Sequence, residues 1–453
     1  MKTEQIYIDL FKECRKIIDG ACADGLNAPR DKALSDFEKN GFPAFPSEDY
    51  RQTPVSDAFA CDYGMNFNRL AFPLHPDKLF RCDVPNLSTN LYVVVNDSFY
   101  AQHLSKTILP KTTLPESVFS GSLNDFAIRF PEIFQRYYTK LADTAADGLA
   151  AFNTMFAQDG YVLYIPPNTV VERPIQVINV LTGNIDVLCN RRMLIIVEEN
   201  AQVKLLVCDH TSEENRKFLA TQVTEIFIAD HAVFDFYEME ESSAHTTRLS
   251  STFISQRAHS NVMVNGTTLY NGLTRNNYFV SLDGEHARTH LSGIAILGEQ
   301  QHTDNFVKIA HNVPFCSSNQ LFKYVLDNIS TGVFTGRIFV APDAQKTDAY
   351  QTNRNLCLTR DARMFSKPQL EIHADDVKCS HGMTTGQLDE NALFYLRSRG
   401  IPEKEAKLLL MYAFTSDVLD TIRIDVLKDR LRQLVEKRFK GERSKCGGCY
   451  NKC

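Results

Sequence analysis

A turn signal that returns about once every 28 residues is the feature that most constrains the fold of this chain. From residue 161 onward, short runs of β-branched and aromatic residues, such as YVLYI at 161–165 and LIIV at 194–197, alternate with an Asn, His or Asp that precedes a small residue. The small residues are, in chain order, Ala201, Ala232, Ser260, Ala287, Ala344 and Ala362. They are separated by 31, 28, 27, 57 and 18 residues, and the gap of 57 predicts one more turn near residues 313–316.

This spacing predicts a solenoid built from strands. Asn, Asp and His are the residues other than glycine that best tolerate a positive φ, and the small residue beside them allows close packing at a corner. A turn that recurs between short strands at such a period is typical of a repeat architecture. With strands in each repeat, the expected form is a parallel β-helix whose coils stack about 4.8 Å apart and share one long core. The last spacing, 18 residues, does not follow the period.

The two ends of the chain have helical rather than strand periodicity. Ile6, Leu10, Cys14 and Ile17 recur on one helical face, and beyond residue 385 a helical pattern returns. We therefore predict a mainly β protein with a parallel β-helix core flanked by N-terminal and C-terminal helical domains. The expected boundaries are 1–158 for a mostly helical domain with a linker, 159–385 for the β-helix, 386–445 for the C-terminal helices and 446–453 for a Cys-rich tail.

Composition and missing motifs exclude several functions. The net charge of −6 argues against a chain that binds nucleic acid over its whole surface. No apolar run approaches the ~18 residues of a membrane helix, and the N-terminus lacks the apolar region of a secretory signal. We therefore expect a cytoplasmic protein whose 12 cysteines are mostly reduced. A phosphate-binding GxxxxGK[ST] loop, an HExxH helix and a GxSxG elbow are all missing, so ATP hydrolysis by this chain is not expected.

Two groups of side chains have metal-binding chemistry with an ordinary alternative. His231, His259 and His286 hold the same position in three successive predicted turns, where they could share a metal or simply be tolerated corner residues. The tail contains a CxxCxxxC pattern, and its thiolates could hold zinc or part of an iron–sulfur cluster, or form a loose terminus that binds nothing. Its cysteines are Cys446, Cys449 and Cys453.

A third group, Cys379 and His381 in the segment KCSHG at 378–382, has the sharpest chemistry. In an extended segment these residues point to one face, with α-carbons about 6.6 Å apart. A thiolate and an imidazole at that separation could both reach one iron or one cluster edge. They cannot complete a coordination sphere, so further ligands would have to come from elsewhere, for instance from another chain. The alternative is a buried cysteine and a capping histidine at the entry to the C-terminal helices.

The region around these two residues resembles the SufB/SufD family of iron–sulfur cluster assembly proteins. The resemblance is carried by KPQLEIHADDVKCSHGMTTGQLDENALFYLRSRGI at 367–401 and by PEKEAKLLLMYAF at 402–414. The CSHG turn followed by GQLDE is similar to the SufD branch, and EDYRQTPV at 48–55 looks like a weaker form of a SufD segment. The CGGCYNKC tail departs from the common SufD pattern.

The resemblance implies a fold, partners and cargo. It implies helical ends around a β-helix, and a non-catalytic scaffold or accessory subunit that pairs with a SufB-type paralogue and a SufC-type ABC ATPase, where ATP is hydrolysed. Iron or a nascent Fe–S cluster, transient and shared with the partner, would be bound at the interface by His381 and Cys379. The C-terminal helices would contact the ATPase through Phe394, Arg397, Leu408, Leu409 and Tyr412.

Other functions stay open at this point. The chain could be a SufB-like main scaffold that uses its own thiols, or a purely structural β-helix subunit. It could form a homodimer when alone, and flavin binding is not indicated either way. A β-helix carbohydrate enzyme of the pectate-lyase type is disfavoured, because such proteins are usually secreted and use tryptophan platforms, whereas this chain has no tryptophan.

Overall fold

The computed structural model describes residues 3–43, 47–70, 89–100 and 114–442. The predicted metal ligands of the tail, Cys446, Cys449 and Cys453, lie outside the described residues.

Two β-sheets form the body of the molecule and confirm the predicted parallel β-helix. The ten-stranded sheet contains β1 (Asn90–Val95), β2 (Ser98–Phe99), β5 (Ile175–Leu181), β7 (Gln202–Thr211), β9 (Val233–Glu241), β11 (Asn261–Tyr270), β13 (Arg288–Leu297), β15 (Ser317–Leu326), β17 (Asp348–Cys357) and β19 (Lys378–Gly386). The nine-stranded sheet contains β3 (Phe119–Ser122), β4 (Tyr161–Ile165), β6 (Val187–Val197), β8 (Phe218–Ile228), β10 (Thr246–Gln256), β12 (Leu273–Leu282), β14 (His302–His311), β16 (Thr331–Val340) and β18 (Arg363–Ile372).

The chain alternates between the two sheets, so each strand pairs with the strand one coil away. The register is continuous: β10 and β12 pair in parallel from Thr247↔Leu273 to Gln256↔Leu282. Only the first pairs, β1 with β2 and β3 with β4, are antiparallel among the described strands. The inner faces of both sheets meet in one apolar core that runs through most of the coils. Its driving force is the burial of β-branched and aromatic side chains at every second strand position.

The predicted turns form a column at one corner of the β-helix. Seven residues, one in each coil, have φ between 56° and 62°, and they are Asn168, Asn200, His231, His259, His286, Phe315 and Lys346. Four of them are the predicted corner residues, and Phe315 lies in the interval where the missing turn was expected. The column is held by backbone hydrogen bonds to the next coil, such as the His231 N–H to the Ala258 carbonyl at 2.9 Å.

Two of the predicted turn positions were wrong, for two different reasons. The corner between β16 and β17 lies at Lys346 rather than at Asp343, because this connection, at 341–347, is longer than the four or five residues at this corner in the five preceding coils, and its Ala344 is buried inside the loop. Ala362 lies between β17 and β18, at the opposite corner that Asn328 occupies one coil earlier. The spacing of 18 residues between Ala344 and Ala362 is short because these two residues lie at different corners of the β-helix.

The N-terminal helices cover the outer face of the nine-stranded sheet. They are α1 (Thr3–Gly20), α2 (Asp24–Asn27), α3 (Arg30–Asn40), α4 (Leu123–Arg129), α5 (Pro131–Tyr137) and α6 (Gly148–Phe156), with a 3-10 turn at Val55–Ala60. Phe152 of α6 packs with Leu188, Leu219 and Leu249 from successive strands. The Asp147 side chain caps α6 by accepting hydrogen bonds from the N–H groups of its first turn.

The segment before the 3-10 turn lies across several coils of this sheet. Asp49 pairs with Arg337 of β16 at 2.5 Å, and the Thr53 hydroxyl donates to Asp304 of β14 at 2.5 Å. The guanidinium of Arg275 lies 3.8 Å from the ring centroid of Tyr50. The N-terminal part is therefore attached to the β-helix by polar contacts as well as by the apolar helix faces.

The C-terminal helices are α7 (Glu390–Ser398), α8 (Glu403–Asp420) and α9 (Asp425–Phe439). α8 and α9 pack on the outer face of the ten-stranded sheet, where Val418 and Leu431 meet Tyr237 and Ile294. By contrast, α7 buries none of its residues. Among the helices that the structure describes, none is long and apolar enough to cross a membrane.

Candidate functional site

The last coil leaves one end of the β-helix open. β19 pairs with β17 on one side, and along the described chain no strand follows it in the sheet. The pairs are Cys379↔Ala349, His381↔Gln351 and Met383↔Asn353. Since the three β17 residues are fully buried, their partners belong to the inner face of the coil as well. Met383 is nevertheless 46% exposed, because none of the described residues covers it from above.

Cys379 and His381 thus share the inner face of an extended strand, as their spacing predicted. Cys379 is half-buried beside a small apolar cluster that includes Val340, Ala349 and Ala374. Burial raises the pKa of its thiol, and the carboxylate of Asp348 raises that pKa further. The thiol therefore keeps its proton at neutral pH, and a metal ion that binds there would have to displace it.

His381 is exposed and lies above a polar part of the same inner face. Its cross-strand neighbour Gln351 is buried and donates a hydrogen bond from Nε2 to Gln320 Oε1 at 3.0 Å. At the open end, apolar side chains therefore lie beneath the Cys379 thiol, and the amide of Gln351 lies beneath the His381 imidazole. The imidazole is therefore accessible to a ligand or a partner chain.

The described residues do not complete a metal site at this end. Across the described ranges of the chain, no three His, Cys, Asp or Glu side chains form a group that could hold a metal ion. Two ligands from one strand cannot satisfy iron, which needs at least four in a cluster or a mononuclear site. An ion bound by Cys379 and His381 would require ligands from outside this part of the chain.

The residues predicted to contact an ATPase divide into two sets. Phe394 on α7 and Leu409 on α8 are 73% and 50% exposed. Leu408 and Tyr412 are half-buried, because they pack against the apolar cluster between α8 and the ten-stranded sheet. Arg397 is exposed and lies 3.5 Å from the Glu403 carboxylate. Phe394 and Leu409 are therefore apolar side chains that the described part of the chain leaves uncovered.

The three corner histidines form a stack of rings. Adjacent ring centroids are 4.8 Å apart for His231 and His259 and 4.9 Å apart for His259 and His286, with interplanar angles of 5° and 14°. Phe315 continues the stack at 5.1 Å from His286. Nitrogen lone pairs lie in the ring planes, so parallel rings direct them side by side rather than toward one ion. The arrangement favours the corner-residue interpretation over a shared metal.

Sequence reasoning missed the neighbours of the candidate site. Asp348, which raises the pKa of the Cys379 thiol, precedes Cys379 by 31 residues, and Gln351 precedes His381 by 30. One coil of the β-helix is 30 residues here, so Gln351 lies directly opposite His381 and Asp348 lies beside the residue opposite Cys379. The turn period could therefore have identified both residues, had it been used to place the strands above one another.

Comparisons with known proteins agree with this architecture. The family model described as "SUF system FeS cluster assembly, SufBD core domain" matches residues 180–414. The model described as "SufBD protein N-terminal region" matches residues 1–177. The two matches together cover most of the chain, including the β-helix and the candidate site.

Individual relatives carry the same description. The chain is 31% identical over 363 residues to an iron–sulfur cluster assembly SufBD family protein of Synechocystis, covering 78% of this chain and 79% of the relative. It is 39% identical over 167 residues to the iron–sulfur cluster assembly protein SufD of Escherichia coli, covering 37% and 40% of the two chains. It is 25% identical over 371 residues to the SufD protein of Bacillus subtilis, covering 79% and 81%.

Proposed function

Because the chain belongs to the SufBD family of iron–sulfur cluster assembly proteins, we propose that it acts as a SufD-like scaffold or accessory subunit. It would pair with a SufB-type paralogue and a SufC-type ABC ATPase, and its cargo would be iron or a nascent Fe–S cluster. Likeness to two proteins named SufD supports this assignment over a SufB-like main scaffold. The family assignment also supports it over a carbohydrate-cleaving β-helix.

One observation carries the proposal: Cys379 and His381 lie on the uncovered inner face of the last coil. A β-helix end with unpaired strand edges is a natural surface for a second β-helix. A paralogue placed there would bring its own side chains to the two ligands and complete the coordination that this chain lacks. The cargo would then be held between chains and released when they move apart.

The proposed division of labour leaves the chain without catalytic activity of its own. ATP would be bound and hydrolysed by the partner ATPase, whose movement would reach the β-helix through α7 and α8. Since α8 packs directly on the ten-stranded sheet, a displacement of this helix would be transmitted to the strands that lead to β19.

Replacement of the exposed imidazole tests the ligand role. His381→Ala should leave the assembly of the three subunits intact and lower the iron that co-purifies with it at least about tenfold, as loss of a metal ligand or its support typically does. The measurement is iron content per complex after anaerobic co-expression with the paralogue and the ATPase.

A second exposed histidine, which lies outside the inner face, offers a matched control. His373 is also exposed and lies in the connection just before β19, so His373→Ala removes an imidazole without touching the inner face. The ligand role is refuted if His381→Ala retains normal iron content, or if both variants lose iron equally.

The proposed ATPase contact has a separate test. Phe394→Ala combined with Leu409→Ala should weaken binding of the ATPase at least about tenfold, because exposed aromatic and aliphatic anchors dominate interfaces of this kind. The affinity is measured by titrating the ATPase over this chain immobilised on a sensor surface. Ile329→Ala, at a corner residue that is 53% exposed, is the control. Equal affinity of the double variant and the wild type would move the contact elsewhere.

A further inference from the structure

A polar cavity lies on the outer face of the ten-stranded sheet, opposite the inner face that bears Cys379. Its volume is about 260 Å³, which is below the roughly 300–1,000 Å³ of pockets for drug-sized ligands. The floor is formed by β13, β15 and β17, and Arg423, which follows α8, forms a wall. The side chains that matter are Arg288, His290, Ser317, Asn319, Asp348 and Arg423.

The register of the sheet arranges the floor as two rows. Arg288, Ser317 and Asp348 are successive cross-strand neighbours in the first row. His290, Asn319 and Tyr350 are successive neighbours in the second row. Two strand spacings, roughly 9.6 Å, separate the α-carbons of Arg288 and Asp348. A cation and an anion thus stand on either side of a hydroxyl in this row, which continues beyond Asp348 to Lys378 of β19.

Among the described residues, Asp348 is paired neither with Arg288 nor with its cross-strand neighbour Lys378. Within the described residues, neither Arg288 nor Asp348 takes part in an ion pair. The buried Oδ1 of Asp348 has no hydrogen-bond partner among those residues. The Asp348 carboxylate does raise the pKa of the neighbouring Tyr350 hydroxyl, through a hydrogen bond and its charge. A buried carboxylate oxygen without a donor is costly, so it is a place where a ligand donor would be favoured.

The second row offers another unsatisfied atom. His290 Nε2 is buried and has no partner among the described residues. Burial lowers the pKa of His290, and the nearby Arg423 guanidinium lowers it further, so the ring is neutral at pH 7. Arg423 itself is anchored by Asp235 at 2.9 Å. Among the described residues, the cavity thus presents a guanidinium at Arg288 without an ion-pair partner, a neutral imidazole with one unpartnered nitrogen, and a carboxylate with one unpartnered oxygen.

We propose that this cavity binds a small zwitterion, namely an α-amino acid, with its carboxylate at Arg288 and its ammonium group at Asp348. Arg288 and Asp348 line the same cavity on either side of Ser317, so one ligand that carries both charges can reach both residues through a charge-assisted hydrogen bond at each. Ser317 lies beneath the middle of such a ligand, and His290 is within the same cavity to accept or donate a further bond. This inference does not rest on the proposed function.

A simple oxyanion would use the cavity less completely. It would meet the guanidinium but would place its negative charge in the same small cavity as Asp348, and it would leave Oδ1 without a donor. A simple cation would face Arg288 and Arg423. A ligand with both charges can pair with Arg288 and supply a donor to Asp348 at the same time.

The test is isothermal titration of the full-length chain with the common α-amino acids, with acetate and methylammonium as probes that carry one charge each. At least one amino acid should bind saturably. Arg288→Met and Asp348→Asn should each weaken that binding at least about tenfold, because each removes a charge-assisted hydrogen bond. Acetate and methylammonium should bind at least about tenfold more weakly than the amino acid.

Matched controls separate the site from general surface charge. Arg354 is exposed on the same sheet outside the cavity, and Asp361 is exposed at a corner, so Arg354→Met and Asp361→Asn should bind the amino acid as the wild type does. Circular dichroism verifies that each variant is folded. The proposal is overturned if no amino acid binds the wild type, or if binding survives both cavity variants. It is equally overturned if acetate binds as tightly as the amino acid and Asp348→Asn has no effect on it.

Discussion

Single histidines buried in the β-helix make its stability depend on pH. Burial lowers the pKa of His210 to about 4, against a partial opposing effect of Asp209, and it lowers the pKa of His311 to about 4 as well. His311 Nε2 contacts the Ser318 hydroxyl at 2.9 Å, and its Nδ1 is buried without a partner among the described residues. These rings are neutral in the folded chain and would become charged on unfolding in mild acid.

The sign of this effect follows from the two protonation states. Since the folded pKa lies below the unfolded value of 6.5, the unfolded chain binds more protons between pH 6.5 and about 4. Stability is therefore fully present above pH 6.5 and falls as the pH drops, by roughly 1.4 kcal/mol per pH unit for each such histidine.

Between pH 6.5 and about 4, the free energy of unfolding of His311→Gln should fall less steeply with decreasing pH than that of the wild type. The difference in slope should be close to the contribution of one histidine. Denaturant titrations at a series of pH values measure it. His245→Gln, which alters an exposed ring, is the control for the loss of a histidine that is not buried. A slope in His311→Gln equal to that of the wild type would mean that His311 is already protonated in the folded chain.

At the level of turns and strands, the backbone conformation restricts which residue types can occupy the corner column. The corner residue must adopt a φ near 60° in every coil, and Asn fills that position at Asn168 and Asn200. For β-branched side chains this backbone conformation is strongly disfavoured. The stacked rings of the histidines add contact between coils, but the backbone conformation is the stricter requirement.

His259→Val should therefore destabilise the chain by about 1–2 kcal/mol more than His259→Asn, because both lose the ring stack and only valine opposes the left-handed backbone. The midpoint of urea unfolding compares the two variants. Arg257→Val, two residues earlier and outside the positive-φ set, is the control for valine on this surface. If Val and Asn proved equivalent, ring stacking rather than φ would be the constraint at this corner.

For the molecule as a whole, the two ends of the chain play different roles. The N-terminal helices cover one sheet and the last two helices cover the other, so both broad faces of the β-helix are largely occupied. The coil formed by β18 and β19 is the surface that these elements leave open. A chain that lengthens the β-helix at this end, whether a paralogue or a second copy, would dock there.

Met383→Lys should abolish such docking without unfolding the chain. The side chain lies on the open inner face, where a covering coil would bury it, and burial of an unpaired ammonium is strongly unfavourable. Sedimentation velocity of the chain alone and with the paralogue measures the association. Ile329→Lys places the same charge at a similarly exposed corner and should associate normally. Unchanged association of Met383→Lys would place the interface on another surface.

Local signals in the sequence were enough to predict the fold class. The corner residues at 200, 231, 259 and 286 and the helical periodicity at both ends depend on neighbours within one turn or one helix, so they are visible without a structure. The positions of Cys379 and His381 on one strand face also follow from strand alternation alone.

Other features depended on how the coils stack. Whether a turn lies at Asp343 or Lys346 depends on loop length, and Ala362 could be assigned to the second corner only once both sheets were known. Exposure of His381 arises because no described strand follows β19, and the Arg288–Asp348 row joins residues 60 positions apart in the chain. These contacts depend on how the coils stack, because a parallel sheet aligns residues that are distant in the sequence. Local propensity does not determine which residue of one coil lies above which residue of the next.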